Sequence, residues 1–289
     1  MKDIFPYYSI GHFINEPDNP TAFEIVRFED LTEPDVEDLH KHTFYEVIWT
    51  ETGVSKQVID YQEYIIAPQS LFFISPGQLH QFEEWQHVTG GSIFFTEDFF
   101  LLHQQNHDAL FELSFLDNFY GRPFVQPDAG SYREIRQTID LLLAEHRRPD
   151  QAPRIAQALL HVLLAQIQRC VDAETPQLVS KKYLLLYKRF KLLVDAHFNE
   201  PFTVSDYADR LHITQHHLNH VVKLVTGRTA SEVLRARLVL EAKRLLSFTD
   251  QNATEIAAQL GVFDSSYFAK LFRAETGVSP STFRRQHLR

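Results

Sequence analysis

The run TQHHLNHVVKLVTG, residues 214–227, places three histidines within five positions. Imidazoles at this density can bind a metal, relay protons or hydrogen-bond a polar surface. At helical spacing Leu218, Val221, Val222 and Val225 form one apolar stripe, and His216, Asn219, His220 and Lys223 repeat that spacing on the opposite side. A histidine pair four apart suits zinc, but a structural zinc site takes four ligands and a catalytic one takes three plus water. The single cysteine, Cys170, is remote, and no His-Glu-x-x-His run surrounds the pair. The spacing predicts an amphipathic helix whose outer face offers donors, acceptors and one cation, with no metal.

The elements around this helix fall into two regimes. To about residue 127, the segments FEIVRF, YEVIWTET, VSKQVIDYQEYII and SLFFI are rich in β-branched and aromatic residues. Turn signals at Thr52-Gly53, Ala67-Pro68 and Ser75-Pro76-Gly77 separate them. Short strands at this spacing predict a sandwich or small barrel. From Ser131 the period becomes helical: SYREIRQTIDLLLAEH, then RIAQALLHVLLAQIQRCV with Ile155, Leu159, Val162, Leu163 and Ile167 along one side. That stripe is expected to pack on the strands. Residues 172–181 contain a proline and lack periodicity, which predicts a linker between a domain at 1–171 and another at 182–289.

The second domain repeats itself. VSDYADRLHITQHHLNHVVKLVTGRTASEVLR aligns with TEIAAQLGVFDSSYFAKLFRAETGVSPSTFRR, pairing Ala208 with Ala257, Leu211 with Leu260, Lys223 with Arg273 and Gly227 with Gly277. The offset moves from 49 to 50, so the second copy carries one extra residue at its turn. Each copy reads as two helices around a tight turn, a helix-turn-helix, at about 203–227 and 253–277. Between them TASEVLRARLVLEAKRLL predicts a helix that holds the copies apart. The outward positions of the second copy are Ser266, Ala269, Lys270 and Arg273, polar or small like those of the first. Such faces carry side chains for base edges and cations for phosphates. A two-repeat protein-binding solenoid is the alternative, and two repeats are few for one.

Charge divides the same way. Of 28 Lys and Arg and 38 Asp and Glu, residues 181–289 hold 17 basic and 10 acidic, leaving 11 and 28 for the first 180. A basic half behind an acidic half predicts that the second half meets a polyanion. One cysteine excludes an internal disulfide framework. Neither a basic, apolar leader nor a membrane-length apolar run is present, so a cytoplasmic protein without membrane association is expected.

Residues 183–289 resemble the DNA-binding domain of the AraC/XylS family, with AAQLGVFDSSYFAKLFRAETGVSPSTFRR close to the family signature and RLVLEAKRLL matching its linker helix. The resemblance implies two recognition helices in successive major grooves, with base contacts carried by His216, Asn219 and His220, and by Ser265, Ser266 and Lys270. Lys223 and Arg273 would reach phosphates. His220 stands where arginine is common, which implies a different reading by the first helix. LHKHTFYEVIWTETG, with His40, His42, Glu46 and Gly53, resembles the first cupin motif, and SPGQLHQF with His80 part of the second. Ser75 and Glu84 depart from the second motif. In metal-binding cupins the matching positions, here His40, His42, Glu46 and His80, hold iron, manganese or zinc. Sensory domains of AraC/XylS regulators resemble cupins and often keep such histidines without a metal.

The resulting expectation is a two-domain α and β protein. A cupin-like β-barrel followed by two helices binds a small effector and dimerises, and an all-α double helix-turn-helix domain binds DNA. Effector contacts are assigned to His40, His42, Glu46, Trp49, Phe72 and His80, with Phe44 and Phe82 also at the barrel mouth. No catalytic residue and no cofactor is expected, and double-stranded DNA, RNA polymerase and a second copy of the chain are the expected partners. A bound metal at the four cupin positions, or a plain hydrogen-bonded core there, remains open. The rival reading is a metal-dependent cupin oxygenase or isomerase carrying an accessory DNA-binding domain.

Overall fold

The computed structural model describes residues 5–31, 36, 39–60, 62–83, 85–102, 109–116, 123–174 and 180–287. The chain forms two compact units, Met1–Gln177 and Leu178–Arg289. Among the described residues the first holds ten strands: β1 (Tyr7–Tyr8), β2 (Phe23–Arg27), β3 (Lys41–His42), β4 (Tyr45–Thr52), β5 (Ser55–Ile59), β6 (Gln62–Ile66), β7 (Leu71–Ile74), β8 (His80–Glu83), β9 (Thr89–Phe95) and β10 (Phe124–Val125). Four helices accompany them: α1 (Ile10–Phe13), α2 (Glu97–Leu101), α3 (Ala129–His146) and α4 (Pro153–Glu174).

An antiparallel sheet in the order β10-β7-β4-β9-β2 is accompanied by a three-stranded sheet, β6-β5-β8, and a parallel pair, β1-β3. The segment VSKQVIDYQEYII is two strands, because Asp60 takes a left-handed φ of 58° and turns the chain between Ile59 and Gln62. Strand β4 divides the unit. On one face Ile48 packs with Phe72 and Ile74 of its own sheet, and with Ile59 and Ile66 of the three-stranded sheet. On the other face Val47 and Trp49 join Phe73, Ile93 and Phe95 in a core closed by α3 and α4. The period of two in an extended strand separates these sets.

Helix α4 corrects one expectation. Its core face is Ala156, Leu160, Leu163, Leu164 and Ile167, whereas Ile155 and Val162 are each 49 % exposed. The helix carries apolar residues on more than one side, and only the stripe centred on Leu160 and Leu163 joins the core shared with α3 and the sheet. The expected linker also shortens. α4 continues to Glu174 and the next helix begins at Lys181, while residues 175–179 lie outside the described segments.

The second unit is helical among its described residues: α5 (Lys181–His197), α6 (Val204–Arg210), α7 (Gln215–Thr226), α8 (Ala230–Phe248), α9 (Ala253–Gln259), α10 (Ser265–Thr276) and α11 (Pro280–His287). The internal repeat is visible atom by atom. Capping boxes at Thr203 and Asn252 open α6 and α9, and α7 and α10 end on left-handed Gly227 and Gly277, with φ of 73° and 81°. The turns match as well, His212 and Gly261 both taking positive φ. Ile213 and Val262 then bond back to Ala208 and Ala257. Since Thr214 and Asp264 are the following caps, Phe263 is the extra residue. Arg237 of α8 bonds Asp195 of α5 at 2.7 Å and Glu241 at 3.2 Å, fixing the long helix to the first.

One close approach in the barrel is testable. Gly91 of β9 lies directly opposite Trp49 of β4, and a Cβ there would collide with the Trp49 ring and the Val26 carbonyl. Gly91→Ala should destabilise the first unit by roughly 3 kcal/mol or more, since one neighbour is the fully buried Trp49 ring and the other is backbone of the adjacent strand. Thermal unfolding followed by tryptophan fluorescence measures this. An unchanged first transition would mean that Trp49 does not rest on Gly91.

Candidate functional site

Two sites emerge, one in each unit. In the second unit α7 buries Leu218, Val221 and Val222 and exposes His216, His220 and Lys223. Its N-terminus is capped by Thr214, whose hydroxyl accepts from the His217 amide at 3.1 Å. Helix α10 buries Phe268 and Phe272, exposes Ser265, Ser266, Lys270 and Arg273, and is capped by Asp264. Asn219 differs from its neighbours. Its Oδ1 accepts from the Ala230 amide at 3.1 Å and its Nδ2 donates to the Gln215 carbonyl at 3.2 Å, so this half-buried amide ties α7 to the start of α8. Sequence reasoning also left out Phe263, 94 % exposed just before α10, and Tyr267, half exposed on its first turn. The jump in repeat offset was the available signal for Phe263.

In the first unit His40, His42, Glu46 and His80 are all buried and adjacent. His40 bridges to His80 through paired backbone bonds of 3.0 and 3.1 Å, which brings the two motif segments together. The His40 and His80 rings lie 4.4 Å apart, His42 and His80 4.8 Å, and His42 stacks on Phe44 at 4.0 Å. Ser92 donates to Glu46 Oε1 at 2.7 Å. Glu46 Oε2 is left 3.6 Å from both His42 Nε2 and His80 Nε2.

A cavity of about 110 Å³ opens beside this cluster, lined by His40, Glu46 and His80 and walled by Phe28, Phe82 and Trp85 among others. The expected contacts divide here. His42 lies buried next to the cavity and is not part of its wall, and Phe44 stacks behind it. Phe72 is on the inner face but packs with Ile48 and stacks on Phe124 at 5.4 Å. Trp49 is on the opposite face, with Nε1 directed to Glu51 at 3.4 Å. Its distance from Glu46 is an odd number of residues, and an extended strand sends such a pair to opposite sides. Gln57, which the sequence reading left unassigned, projects inward from β5 and lines the cavity. Glu84 falls outside the described residues.

The donor set, two imidazoles and a carboxylate, is of the kind a divalent transition ion takes. Ligand atoms of His42, Glu46 and His80 lie within 4.8 Å of one another, and the two 3.6 Å separations from Glu46 match pairs of donors each roughly 2.0–2.1 Å from an ion. Among the described residues neither His42 nitrogen has a side-chain hydrogen-bond partner, and His80 Nδ1 lies 3.3 Å from the Gln78 carbonyl. The tautomer that donates there turns a lone pair on Nε2 toward Glu46. An ion bound by these three would supply a Lewis-acid centre at the cavity's edge.

Burial sets the protonation. It pushes the His42 imidazole down to about 3, the nearby His40 adding to the effect. His80 is held well below its ordinary value by burial, then by His40 and His42. Burial raises the Glu46 carboxyl against the opposing pull of His80 and the Ser92 hydrogen bond. An unfolded histidine takes up its proton near pH 6.5. Below that value the unfolded state binds more protons than the folded one, and stability falls as pH falls. Glu46 acts with the opposite sign, losing its contribution as pH rises through the range above an ordinary carboxylate. Two histidines outweigh one carboxyl. In metal-stripped protein the first unit's melting temperature should drop between pH 7 and pH 5, the loss setting in as pH falls through about 6.5, where the unfolded histidines take up protons. His42→Phe should flatten the slope, and a level wild-type profile would mean the imidazoles are protonated in the fold.

Comparison with known proteins identifies both units. Residues 25–164 match the family model of the AraC-like ligand binding domain, and residues 207–286 match a helix-turn-helix domain model. The HTH-type transcriptional activator RhaS of Pectobacterium carotovorum is 24 % identical over 251 residues, covering 86 % of this chain and 87 % of that protein. RhaR of Cronobacter sakazakii is 26 % identical over 250 residues, covering 86 % of each. Among solved structures, ToxT from Vibrio cholerae aligns with 92 % of this chain and 99 % of its own at 13 % identity and a TM-score of 0.42. With a ligand-binding domain ahead of a DNA-binding one on a single chain, this protein belongs to the AraC family of transcriptional regulators.

Proposed function

We propose that a small molecule entering the barrel cavity sets the affinity or activity of the chain on its operator. The polar floor is His40, Glu46 and His80, with His42 buried beneath. In the second unit His216, His220 and Lys223 of α7 meet one major groove, and Ser265, Ser266, Lys270 and Arg273 of α10 meet the next. Asn219 is set aside because its amide is engaged by the fold. The observation that carries this reading is the pair of capped, polar-faced helices on one repeated scaffold. The regulator is proposed to work in the cytoplasm as a homodimer, using apolar residues left exposed on the helices behind the barrel, among them Leu141, Ile155 and Val162. It is proposed to contact RNA polymerase and to catalyse no reaction. In keeping with the first of these proposals, no helix among the described residues is long and apolar enough to cross a membrane.

A second reading is favoured by the spacing of His42, Glu46 and His80: a resident transition ion, and with it a cupin enzyme that also binds DNA. Metal analysis of protein purified without chelators decides between them. One equivalent per chain, lost in His42→Ala, together with turnover of a small molecule, establishes the enzyme. Far less than one equivalent supports the effector pocket.

Two recognition helices on one face need subsites about one helical turn apart, roughly 10 base pairs centre to centre. On a duplex selected from a random pool, inserting five base pairs between the subsites should remove most of the specific affinity. His216→Ala combined with His220→Ala should relax sequence preference in one subsite alone. Affinity should fall with salt by on the order of 0.9 log unit per log unit for each phosphate contact. Binding that tolerates the insertion would overturn the two-groove arrangement.

A further inference from the structure

Gln57 sits in the middle of β5 with its side chain turned into the barrel, 0 % exposed, between the inward positions of Ser55 and Ile59. Across the ladder its partners are Phe82 of β8 and Tyr64 of β6. Among the described residues neither its Oε1 nor its Nε2 finds a hydrogen-bond partner. A buried carboxamide without a partner opposes folding, and a leucine of similar size would fill the same space without that cost. The same side chain lines the cavity, and Glu46 and His80 line it too. An uncommitted donor and acceptor, adjacent in one plane, are therefore presented to whatever enters.

The rest of the wall narrows the choice. Phe28 lies edge-on to Phe82 at 5.4 Å and 6.3 Å from Trp85, so aromatic surfaces flank the amide. Neither Lys nor Arg lines the cavity among the described residues, so no permanent cation there would offset an anion's loss of water. Resting on the assignment of this unit as ligand-binding, we propose that Gln57 is the recognition residue of the cavity. Its ligand is an uncharged, ring-sized molecule that presents a donor and an acceptor side by side, as an amide edge or a vicinal diol does.

Two such groups on one amide form a paired contact, and a site built around it rejects molecules that cannot complete it. The test uses the full chain and three probes: catechol, a flat vicinal diol; 2-pyridone, a flat cyclic amide; and benzoate, a ring of like size bearing a negative charge. Saturable quenching of tryptophan fluorescence, with Trp85 in the cavity wall, reports entry. Catechol or 2-pyridone should saturate and benzoate should not. Gln57→Leu should weaken the saturating probe by roughly 10- to 100-fold. The same substitution should raise the melting temperature of the ligand-free chain by roughly 2–6 °C, because it removes an unpaired buried amide. Gln57→Met, which keeps the length and loses both donor and acceptor, should also weaken the probe.

A lower melting temperature in Gln57→Leu would mean the amide is structural and would overturn its recognition role, as would undiminished probe binding. Saturation by benzoate, or by none of the probes, would overturn the ligand class. Failure of the wild-type chain to bind any selected duplex, read in a separate titration, would remove the regulator reading instead, so the two failures are distinguishable.

Discussion

The alternation of side chains along β4 governs the first unit. Glu46 and Ile48 point inward while Val47 and Trp49 point outward, and each set has a different neighbour to satisfy. Outward residues need an apolar cover, which α3 and α4 supply. Inward residues face the second sheet, where Glu46 meets His80 and Ile48 meets Ile59, while Ser92 and Phe72 of their own sheet flank them. A one-residue slip of this strand would bury Glu46 under the helices and open Trp49 to the cavity, abolishing core and pocket together. The pairing of Trp49 with Gly91, where no side chain can intervene, holds the register.

The same division explains why the cavity can be polar. A core made of Trp49, Phe73, Phe95, Leu160 and Leu163 provides hydrophobic burial away from the ligand space. The inner face can then retain groups that do little for stability: three buried histidines, a carboxylate and an unpaired amide. Stability and recognition are thus assigned to opposite faces of one sheet. Polar groups in the cavity are arranged for something other than the fold, and the fold tolerates them because its apolar core lies elsewhere.

In the second unit a single helix-turn-helix would expose much of its own apolar surface. Duplication and the shared α8 give each copy a neighbour to pack against, and the charged set Asp195, Arg237, Glu241 and Arg244 binds the long helix in place. The two copies keep the same caps and left-handed turns while differing on their outer faces, with histidines on α7 and serines and cations on α10. A common scaffold with different outer residues allows two subsites to be read differently. Phe263, inserted at the turn of the second copy alone, adds an aromatic group that the first copy lacks.

Sequence by itself determined the division into two units, the strand-rich and helical regimes, the duplication, and the caps and glycine stops, while the meeting of four residues from the two cupin-like segments was what the family resemblance implied. These are local or periodic features, and period, turn chemistry and repeat spacing are written in the order of residues. Only the tertiary structure decided which face each apolar residue serves. Trp49 and Glu46 share a strand, yet which of them meets the cavity depends on the sheet packed opposite. Ile155 and Leu160 share a helix with apolar residues on several sides, and the position of the sheet selects Leu160. Asn219 reads as an exposed polar residue until the start of α8 is placed beside it. Gln57 has no role in the sequence reading, and acquires one only when β6 and β8 flank it and its side chain is enclosed. In each case the deciding partner lies on another element, and long-range packing, unlike periodicity, leaves no mark at the residue's own position.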